Sequence, residues 1–383
     1  MEEQDPLKEA ERRSDGRNVD PALGVLQGEG SRQRVKQLDE PYPTASVPLE
    51  EGERPSQAGP EEPAPTYYGL PAVKQPVWIW SIPLYFYVGG LAGAASLLGV
   101  VADFGGRGRL ERLARRCHWV GAVGDAVSGA LLIHDLGRPE RFLNMLRVFR
   151  PRSPMSLGSW ILAASGAGNA AAVLFAHQRG VLGKVGRAAS VVGGGLGVPL
   201  AGYTAVLLTN TSVPLWQQTY RTLPLLFMSS GAASCGALLE LFPLNRAEHR
   251  VARSFRLGGT VAQIVASYAV EREASRSEQV VRPLKQGAPG ALWKTFQACT
   301  VAGLALSLWP GRQRWKTVAA SALTTAGALA LRFAIFHGGK VSSLDPQATF
   351  RSQRAGLGAA EVGPASQVLR DSRPERFALP VVR

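Results

Sequence analysis

The sequence predicts an all-α protein, a polytopic membrane bundle of about eight transmembrane helices behind a disordered N-terminal tail. Three observations predict it. Apolar segments near the length that crosses about 30 Å of hydrocarbon recur through the middle of the chain. Gly and Ala fill their interiors, which lets helix backbones approach closely. Lys and Arg concentrate in the short connectors, because these residues are costly in lipid. The apolar segments lie at roughly 77–101, 117–134, 156–177, 187–209, 221–242, 256–271, 291–310 and 315–337.

The polar ends of the chain predict the domain boundaries. Residues 1–75 are rich in Glu, Arg, Pro, Gln and Gly and hold few aromatic or β-branched residues before Tyr67. Such a segment buries too little apolar surface to offset chain entropy. We therefore expect a disordered polar tail over 1–75, the bundle over 76–340 and a polar C-terminal tail over 341–383.

The apolar segments differ in the polar residues that they contain. Asp125 falls near the middle of the second segment, where an ionised carboxylate needs a partner or a proton. The sixth segment is short and contains Gln263, and the eighth contains Arg332 about one and a half turns from its end. We expect these side chains to be paired within the bundle rather than exposed to lipid.

Composition excludes some functional classes. The net charge of +14 comes from basic residues spread through the connectors, a distribution typical of membrane topology and anionic lipid and not of nucleic-acid binding. Cys117, Cys235 and Cys299 are isolated in sequence, so we expect no Cys-ligated iron–sulfur cluster within this chain. No metal-ligand spacing is present, and we expect no metal site.

The connector HDLGRPERFLNMLRVFRPRSPMSLGSW at 134–160 is the most distinctive segment. Its first residues include His134, Asp135, Arg138, Glu140 and Arg141, each of which would cost several kcal/mol at the centre of a bilayer. The connector is therefore predicted at a membrane face. Helix direction places the start of the first segment, and the ends of the second, fourth and eighth, on that same face.

Four stretches resemble the NrfD-like family, the multispanning membrane subunits of polysulfide-reductase-type complexes that exchange electrons with quinones. They are IPLYFYVGGLAGA at 82–94, the connector itself, GYTAVLLTNTSVPLW at 202–216 and LRFAIFHGGKVSSLDP at 331–346. The resemblance implies a menaquinone or ubiquinone bound without a covalent link, and a location in the bacterial inner membrane. It also implies a peripheral iron–sulfur subunit and a catalytic or cytochrome subunit as partners. Family quinone sites are associated with the first four helices, where Asp135 and Tyr203 occupy the corresponding positions.

A quinone site needs hydrogen-bond donors at two carbonyl oxygens, groups that exchange protons, and an apolar slot for the ring. Helix direction brings suitable residue types to one membrane edge. We predict proton handling by Asp135, His134 and Asp125, and quinone binding by Tyr203, Tyr85, Tyr87 and Arg332.

Structural roles compete with these functional ones. Tyr203 is also typical of an interfacial aromatic anchor, and Asp135 of a cap or an ion pair with Arg138 or Arg141. Asp125 suits an inter-helix hydrogen bond, with Gln263 or Arg332 as conceivable partners, and we expect Arg332 to pair with the connector carboxylates.

Two alternative functions use the same residues. One is a protein that moves protons or other ions along Asp125 and Arg332, and the other is a purely structural membrane anchor. We expect no haem, because His118, His134, His177 and His337 lie at segment ends. Fifteen Lys and Arg in the odd connectors against ten in the even ones predict periplasmic termini.

Overall fold

The computed structural model describes residues 18–20, 25–27, 73–106, 108–136, 140–176, 178–311 and 313–349. The predicted disordered tail, 1–75, therefore lies almost entirely outside the described residues. Within it, strands β1 (Asn18–Asp20) and β2 (Val25–Gln27) pair antiparallel, with Val19 opposite Leu26. They belong to a separate compact unit, Met1–Glu62.

The second unit, Pro63–Arg383, is helical over its described residues, which confirms the predicted fold class. A long helix coincides with each predicted apolar segment, and shorter helices lie between some of them. The helices are α1 Ser81–Gly105, α2 Glu111–Leu136, α3 Glu140–Arg147, α4 Pro154–Leu174, α5 Gly180–Thr209, α6 Pro214–Gln218, α7 Leu223–Glu240, α8 Arg246–Ala274, α9 Glu278–Lys285, α10 Gly287–Leu308 and α11 Arg314–Leu344.

Five of these helices, α1, α4, α5, α7 and α11, are long and apolar enough to cross a membrane. The others of similar length, α2, α8 and α10, do not reach that level of hydropathy. The chain is thus a helical membrane protein, and a count of eight spans stays a prediction.

Helix α8 begins ten residues before the predicted start at 256, because a polar cap fixes its first turn. The Asn245 side chain accepts hydrogen bonds from the backbone N–H groups of Ala247 and Glu248, both at 2.9 Å. Glu248 accepts in return from the Asn245 N–H, at 3.0 Å, which completes a capping box. Its other oxygen accepts from the N–H of Leu113 at 3.1 Å, so one carboxylate joins the first turns of α2 and α8.

The helices form two bundles. Each bundle has the same order of elements: two long helices, one short helix and two more long helices. The sequence GAAS recurs at 93–96 in α1 and at 231–234 in α7, and the eight-residue helices α3 and α9 recur at the same spacing. Helices α1, α2, α4 and α5 form the first bundle, and α7, α8, α10 and α11 form the second. The two meet mainly where α1 and α5 pack on α7.

Side-chain contacts define two ends of the molecule. At the termini face, where α1 begins and α2 ends, Asp135 contacts Ile79 and the Lys340 ammonium donates to the carbonyl of Trp78 at 2.8 Å. At the opposite face, which we call the far face, Asp103 at the end of α1 contacts His118 near the start of α2. Between the two faces, small residues allow the helices to cross closely. A Cβ on Gly231 of α7, for example, would meet the carbonyl of Gly90 of α1 at 2.6 Å.

Candidate functional site

A pair of buried tyrosines lies near the termini face of the first bundle. Tyr85 of α1 and Tyr203 of α5 are 2% and 8% exposed, and their hydroxyls interact with each other. The Tyr203 ring lies directly over Gly158 of α4, where any Cβ would overlap both the ring and its hydroxyl. Three helices therefore fix the position of one phenol, which is tighter placement than an interfacial anchor requires.

The tyrosine pair is surrounded by apolar side chains. Ile82 and Leu200 belong to the same buried cluster as Tyr85 and Tyr203, and Leu131 and Ile161 pack against that cluster. These residues come from all four helices of the first bundle. The hydroxyls are thus polar groups within an apolar environment, which is the setting in which a few hydrogen bonds orient a mostly apolar ligand.

Asp125 of α2 lies deeper in the same bundle and is 4% exposed. Its Oδ2 accepts hydrogen bonds from the Ser165 hydroxyl at 3.0 Å and the Asn169 amide at 3.1 Å. Asn169 also donates to the Ser96 hydroxyl at 2.7 Å. Its Oδ1 is buried and has no partner among the described residues. Both hydrogen-bond partners of Asp125 lie on α4, and they differ from the conceivable ones, Gln263 and Arg332.

Gln263 and Arg332 are engaged elsewhere, Gln263 within the second bundle and Arg332 where α11 meets α1 and α7. The Gln263 amide donates to the Thr300 hydroxyl at 2.9 Å, which joins α8 to α10. Asp125 and Gln263 thus occupy similar positions in the two bundles, each hydrogen-bonded to a hydroxyl on the facing helix. The structure supports the inter-helix hydrogen bond expected as the structural role of Asp125.

A line of polar side chains crosses the first bundle. We call Tyr203, Tyr85, Asp125, Ser165, Asn169 and Ser96 the polar column. Towards the far face, Ser96 is followed one turn later by Gly99, where a Cβ would lie 2.9 Å from the His118 ring. Asp125 is among the charged groups that act electrostatically on the Tyr85 hydroxyl. Polar groups therefore extend from the tyrosine pair towards the opposite side of the membrane.

A charged cluster lies at the far end of that line. His118 Nε2 and Asp103 Oδ2 are 2.8 Å apart, and the Ser190 hydroxyl donates to the same carboxylate oxygen at 2.8 Å. His118 is 5% exposed, whereas the Asp103 side chain is 36% exposed and so has access to solvent. A cavity of about 210 Å³ borders all three residues. The sequence did not single out this cluster as a candidate site.

Asp135 and His134 lie at the other end, on the termini face. Asp135 Oδ1 accepts from the N–H of Ile79 at 3.1 Å, and Ser81 and the Lys340 ammonium are further neighbours of the carboxylate. The His134 ring is exposed and lies 5.6 Å from the Trp80 ring. The contacts of the described residues do not join Asp135 directly to Tyr203. An ion pair of Asp135 with Arg138 or Arg141 concerns side chains outside the described residues.

Tyr87 and Arg332 lie on the opposite side of α1 from Tyr85. Tyr87 interacts with Ser234 of α7 and Thr325 of α11. Two residues along a helix turn the side chain by about 200°, so Tyr85 and Tyr87 cannot face the same slot. The structure thus brings Tyr85, Tyr203 and Asp125 together and separates Tyr87 from them.

Arg332 is 1% exposed and ties α11 to α1 and α7. Its Nε donates to the carbonyl of Phe86 at 3.3 Å and its Nη2 to the carbonyl of Phe227 at 3.0 Å. The guanidinium also lies 3.8 Å from the centre of the Phe227 ring. These partners replace the connector carboxylates that we expected, because the side chain points across the bundle instead of towards its end.

The site includes residues that the sequence pattern did not reveal as functional. Ser165 and Asn169 occur in SGAGN, which suggests only close packing of small residues. Gly158 lies near the end of the connector, and the sequence gives no sign that it faces a tyrosine. A usable signal was present in Asn169, since an amide inside an apolar segment needs buried partners.

The described residues contain no group of three His, Cys, Asp or Glu side chains that could hold a metal ion. His118 is already engaged by Asp103 and Ser190. The phenols, carboxylates and imidazole described above can form hydrogen bonds and exchange protons.

A family model described as "Polysulphide reductase, NrfD" matches residues 70–342. The match covers the whole of both bundles apart from the last two residues of α11. A search of curated proteins found no match.

Proposed function

We propose, on the premise that this chain belongs to the NrfD family of polysulphide reductase membrane subunits, that it binds quinone or quinol at the tyrosine pair of the first bundle. Membership makes it a membrane subunit of a quinone-linked oxidoreductase complex. The observation that carries the quinone site is the Tyr85–Tyr203 pair, held in an apolar environment and followed by Asp125 and its hydrogen-bonded neighbours.

Tyr203 is the proposed donor to one quinone oxygen. Its phenol is fixed by Gly158 beneath the ring and by Tyr85 beside the hydroxyl. A donor that needs no reorganisation keeps its full hydrogen-bond strength when the ligand enters. Tyr85 then acts as a positioning residue, because its contact with the Tyr203 hydroxyl sets the direction of that hydroxyl.

The proposed proton route has two branches. Oxidation of a quinol releases two electrons and two protons, so the site needs acceptors for both. Asp135 and His134 lie at the termini face and have access to solvent there, whereas Asp125 lies inward along the polar column. We assign proton exchange at the termini face to Asp135, assisted by His134, and proton relay towards the far face to Asp125.

Tyr87 and Arg332 support the site indirectly in this proposal. Both lie behind α1, and Arg332 joins α1 to the second bundle through the carbonyl of Phe86, next to Tyr85 in sequence. The arginine therefore fixes the segment of α1 that carries Tyr85.

Electrons have to leave through another subunit, which we propose to be a peripheral iron–sulfur protein serving a catalytic or cytochrome subunit. The exposed part of the connector offers a surface for it. Arg147, Arg150 and Arg152 are exposed there, together with Phe149, which is 55% exposed. Cations around an exposed aromatic residue suit an acidic partner with an apolar contact point. We place the complex in the bacterial inner membrane.

Tyr203→Phe and Asp135→Asn test the site in the assembled complex. The first keeps the ring over Gly158 and removes the hydroxyl, so assembly survives while the KM for quinol rises; a lost hydrogen bond costs about 0.5–1.5 kcal/mol. The second keeps the shape and abolishes proton exchange, so it lowers kcat more than KM and changes the pH profile. Steady-state quinol turnover across pH, with subunit content checked separately, measures both.

Tyr268→Phe is the matched control for the first variant. Tyr268 of α8 is 68% exposed and lies outside the first bundle, so removal of its hydroxyl leaves turnover unchanged. If Tyr203→Phe and Asp135→Asn both assemble and turn over at the parental rate, the tyrosine pair is not the quinone site, and the alternative of a structural membrane anchor gains support.

The alternative of ion movement along Asp125 and Arg332 finds less support. The two side chains lie on different sides of α1, and Arg332 bonds to backbone carbonyls of α1 and α7 while Asp125 bonds to α4. A path through both would have to pass the α1 backbone.

A further inference from the structure

A second cavity lies at the far face, within the second bundle. Its volume is about 560 Å³, which is within the range of ligand-binding pockets. Residues of α7, α8, α10 and α11 line it, so it lies between four helices and not in a surface loop. Glu240 and Arg256 form its inner wall, and their side chains are almost fully buried.

The lining of this cavity is strongly cationic. One carboxylate, Glu240, lies among five basic side chains and one histidine. The basic residues are Arg246, Arg250, Arg253, Arg256 and Lys316, and the histidine is His249. Charges of one sign within low-dielectric walls attract a counter-ion.

Only part of that positive charge is compensated within the protein. Arg256 Nε lies 2.9 Å from Glu240 Oε2, and Arg256 also donates to the Ser307 hydroxyl. Arg253 donates to the backbone carbonyl of Ser307 at 2.8 Å. Arg246 and Arg250 have no hydrogen bond or ion pair among the described residues. These two arginines at the start of α8 thus face the cavity with unused donors.

The corresponding cavity of the first bundle does not share this character. It is smaller, about 210 Å³, and it combines Arg115 and Arg187 with two carboxylates, Asp103 and Glu111. The excess of basic over acidic side chains is therefore not shared by the corresponding cavity of the first bundle.

The surroundings of the cationic cavity are those of a membrane interface. Trp309 lines it, and Leu308 beside it is 63% exposed. Val318, next to the lining residue Thr317, is 47% exposed on α11. A ligand that matches this arrangement has an anionic group for the arginines and apolar chains for the outer helix surfaces. Basic pockets between transmembrane helices are a known kind of headgroup site.

We propose that the cavity binds the phosphate-bearing headgroup of an anionic phospholipid. Arg246 and Arg250 donate to the phosphate oxygens, with Lys316 at the opposite wall. The buried Glu240–Arg256 pair closes the inner end, and the acyl chains lie along the surfaces marked by Leu308 and Val318. The lipid joins α8 to α10 and α11 at their far ends, so it stabilises the second bundle. It takes no part in quinone binding.

The test uses the full-length chain, exchanged into lipid nanodiscs and analysed by native mass spectrometry. The probes are phosphatidylglycerol and cardiolipin, with phosphatidylcholine as the zwitterionic reference. The variant carries Arg246→Gln and Arg250→Gln together, and the matched control carries Arg115→Gln and Arg187→Gln in the cavity of the first bundle. Both remove two positive charges from the same face.

We expect the parental chain and the control to retain anionic lipid. The variant loses charge-assisted hydrogen bonds, so it should bind that lipid at least about tenfold more weakly. Equal retention by the variant and the control overturns the proposal, as does equal retention of phosphatidylcholine. A separate arm adds inorganic phosphate to the delipidated chain and follows thermal unfolding. Stabilisation by millimolar phosphate that equals the effect of the lipid assigns the cavity to a free anion and overturns the lipid assignment. Unchanged quinol turnover in the variant complex shows that the two sites are independent.

Discussion

Gly158→Ala tests whether the position of the Tyr203 ring is essential. The change adds a single methyl group on α4 and alters no charge. In the structure a Cβ at this position overlaps the Tyr203 ring atoms and the hydroxyl oxygen. Ordinary carbon contacts lie at about 3.5–4.0 Å, so the ring has to move by more than about 1 Å or α4 has to shift.

The expected magnitude follows from that overlap. Overpacking of a close helix contact costs about 1–3 kcal/mol, and part of this cost appears as displacement of the phenol. A hydroxyl moved by an ångström loses its alignment with the ligand, and misplacement of this size can lower turnover by as much as about 100-fold. We therefore expect Gly158→Ala to reduce quinol turnover at least as much as Tyr203→Phe does, although the methyl group itself contacts no ligand.

The assay is steady-state quinol turnover by complexes of matched subunit content, in a double-mutant cycle. In a Tyr203→Leu background the ring is absent, so adding Gly158→Ala has little further effect. Gly195→Ala on α5 is the control, because a Cβ there meets nothing within 4 Å. Additive effects of Gly158→Ala and Tyr203→Leu would refute the reasoning, and so would full activity of Gly158→Ala.

Three further predictions concern other parts of the chain. Asp125→Asn keeps the contacts of this side chain with Ser165 and Asn169 but removes the titratable group, so assembly is normal and the pH profile of quinol turnover changes. Asp125→Leu leaves buried donors unpaired, so thermal unfolding of the purified chain shows a loss of stability of about 1–3 kcal/mol. Arg332→Lys cannot span the two carbonyls that the guanidinium bridges, so the temperature of thermal unfolding falls, whereas the exposed Arg314→Lys is neutral. A reporter fused after Arg383 is active only in the periplasm, and cytoplasmic activity would contradict the topology based on connector charge.

The family and the helical class could be read from the sequence because both depend on local patterns. Long apolar segments report burial in lipid wherever the partners lie. A helix appears at each of the eight segments for this reason, although three of these helices are too polar to be confirmed as spans. The predicted ends of the helices were less accurate. The cap at Asn245 begins α8 within a charged segment, and hydropathy cannot detect a capping box.

The candidate site was predictable in part. Depth along a helix follows from position in the segment, so the sequence placed Tyr85, Tyr203 and Asp135 near one face. The direction in which a side chain points around the helix axis is harder to predict from the sequence when all sides of the helix are apolar. The sequence therefore grouped Tyr87 with Tyr85, although the two residues face different bundles.

By itself the sequence determined the membrane-helical class, the family and the position of each polar side chain along its helix, because these follow from composition and spacing along one chain. Only the tertiary structure decided which polar groups meet. Asp125 bonds to Ser165 and Asn169, Arg332 to two carbonyls, and Tyr203 lies over Gly158. The physical reason is that a buried polar group is satisfied by whichever partner the helix packing brings within about 3 Å, and small residues at the crossings set that packing.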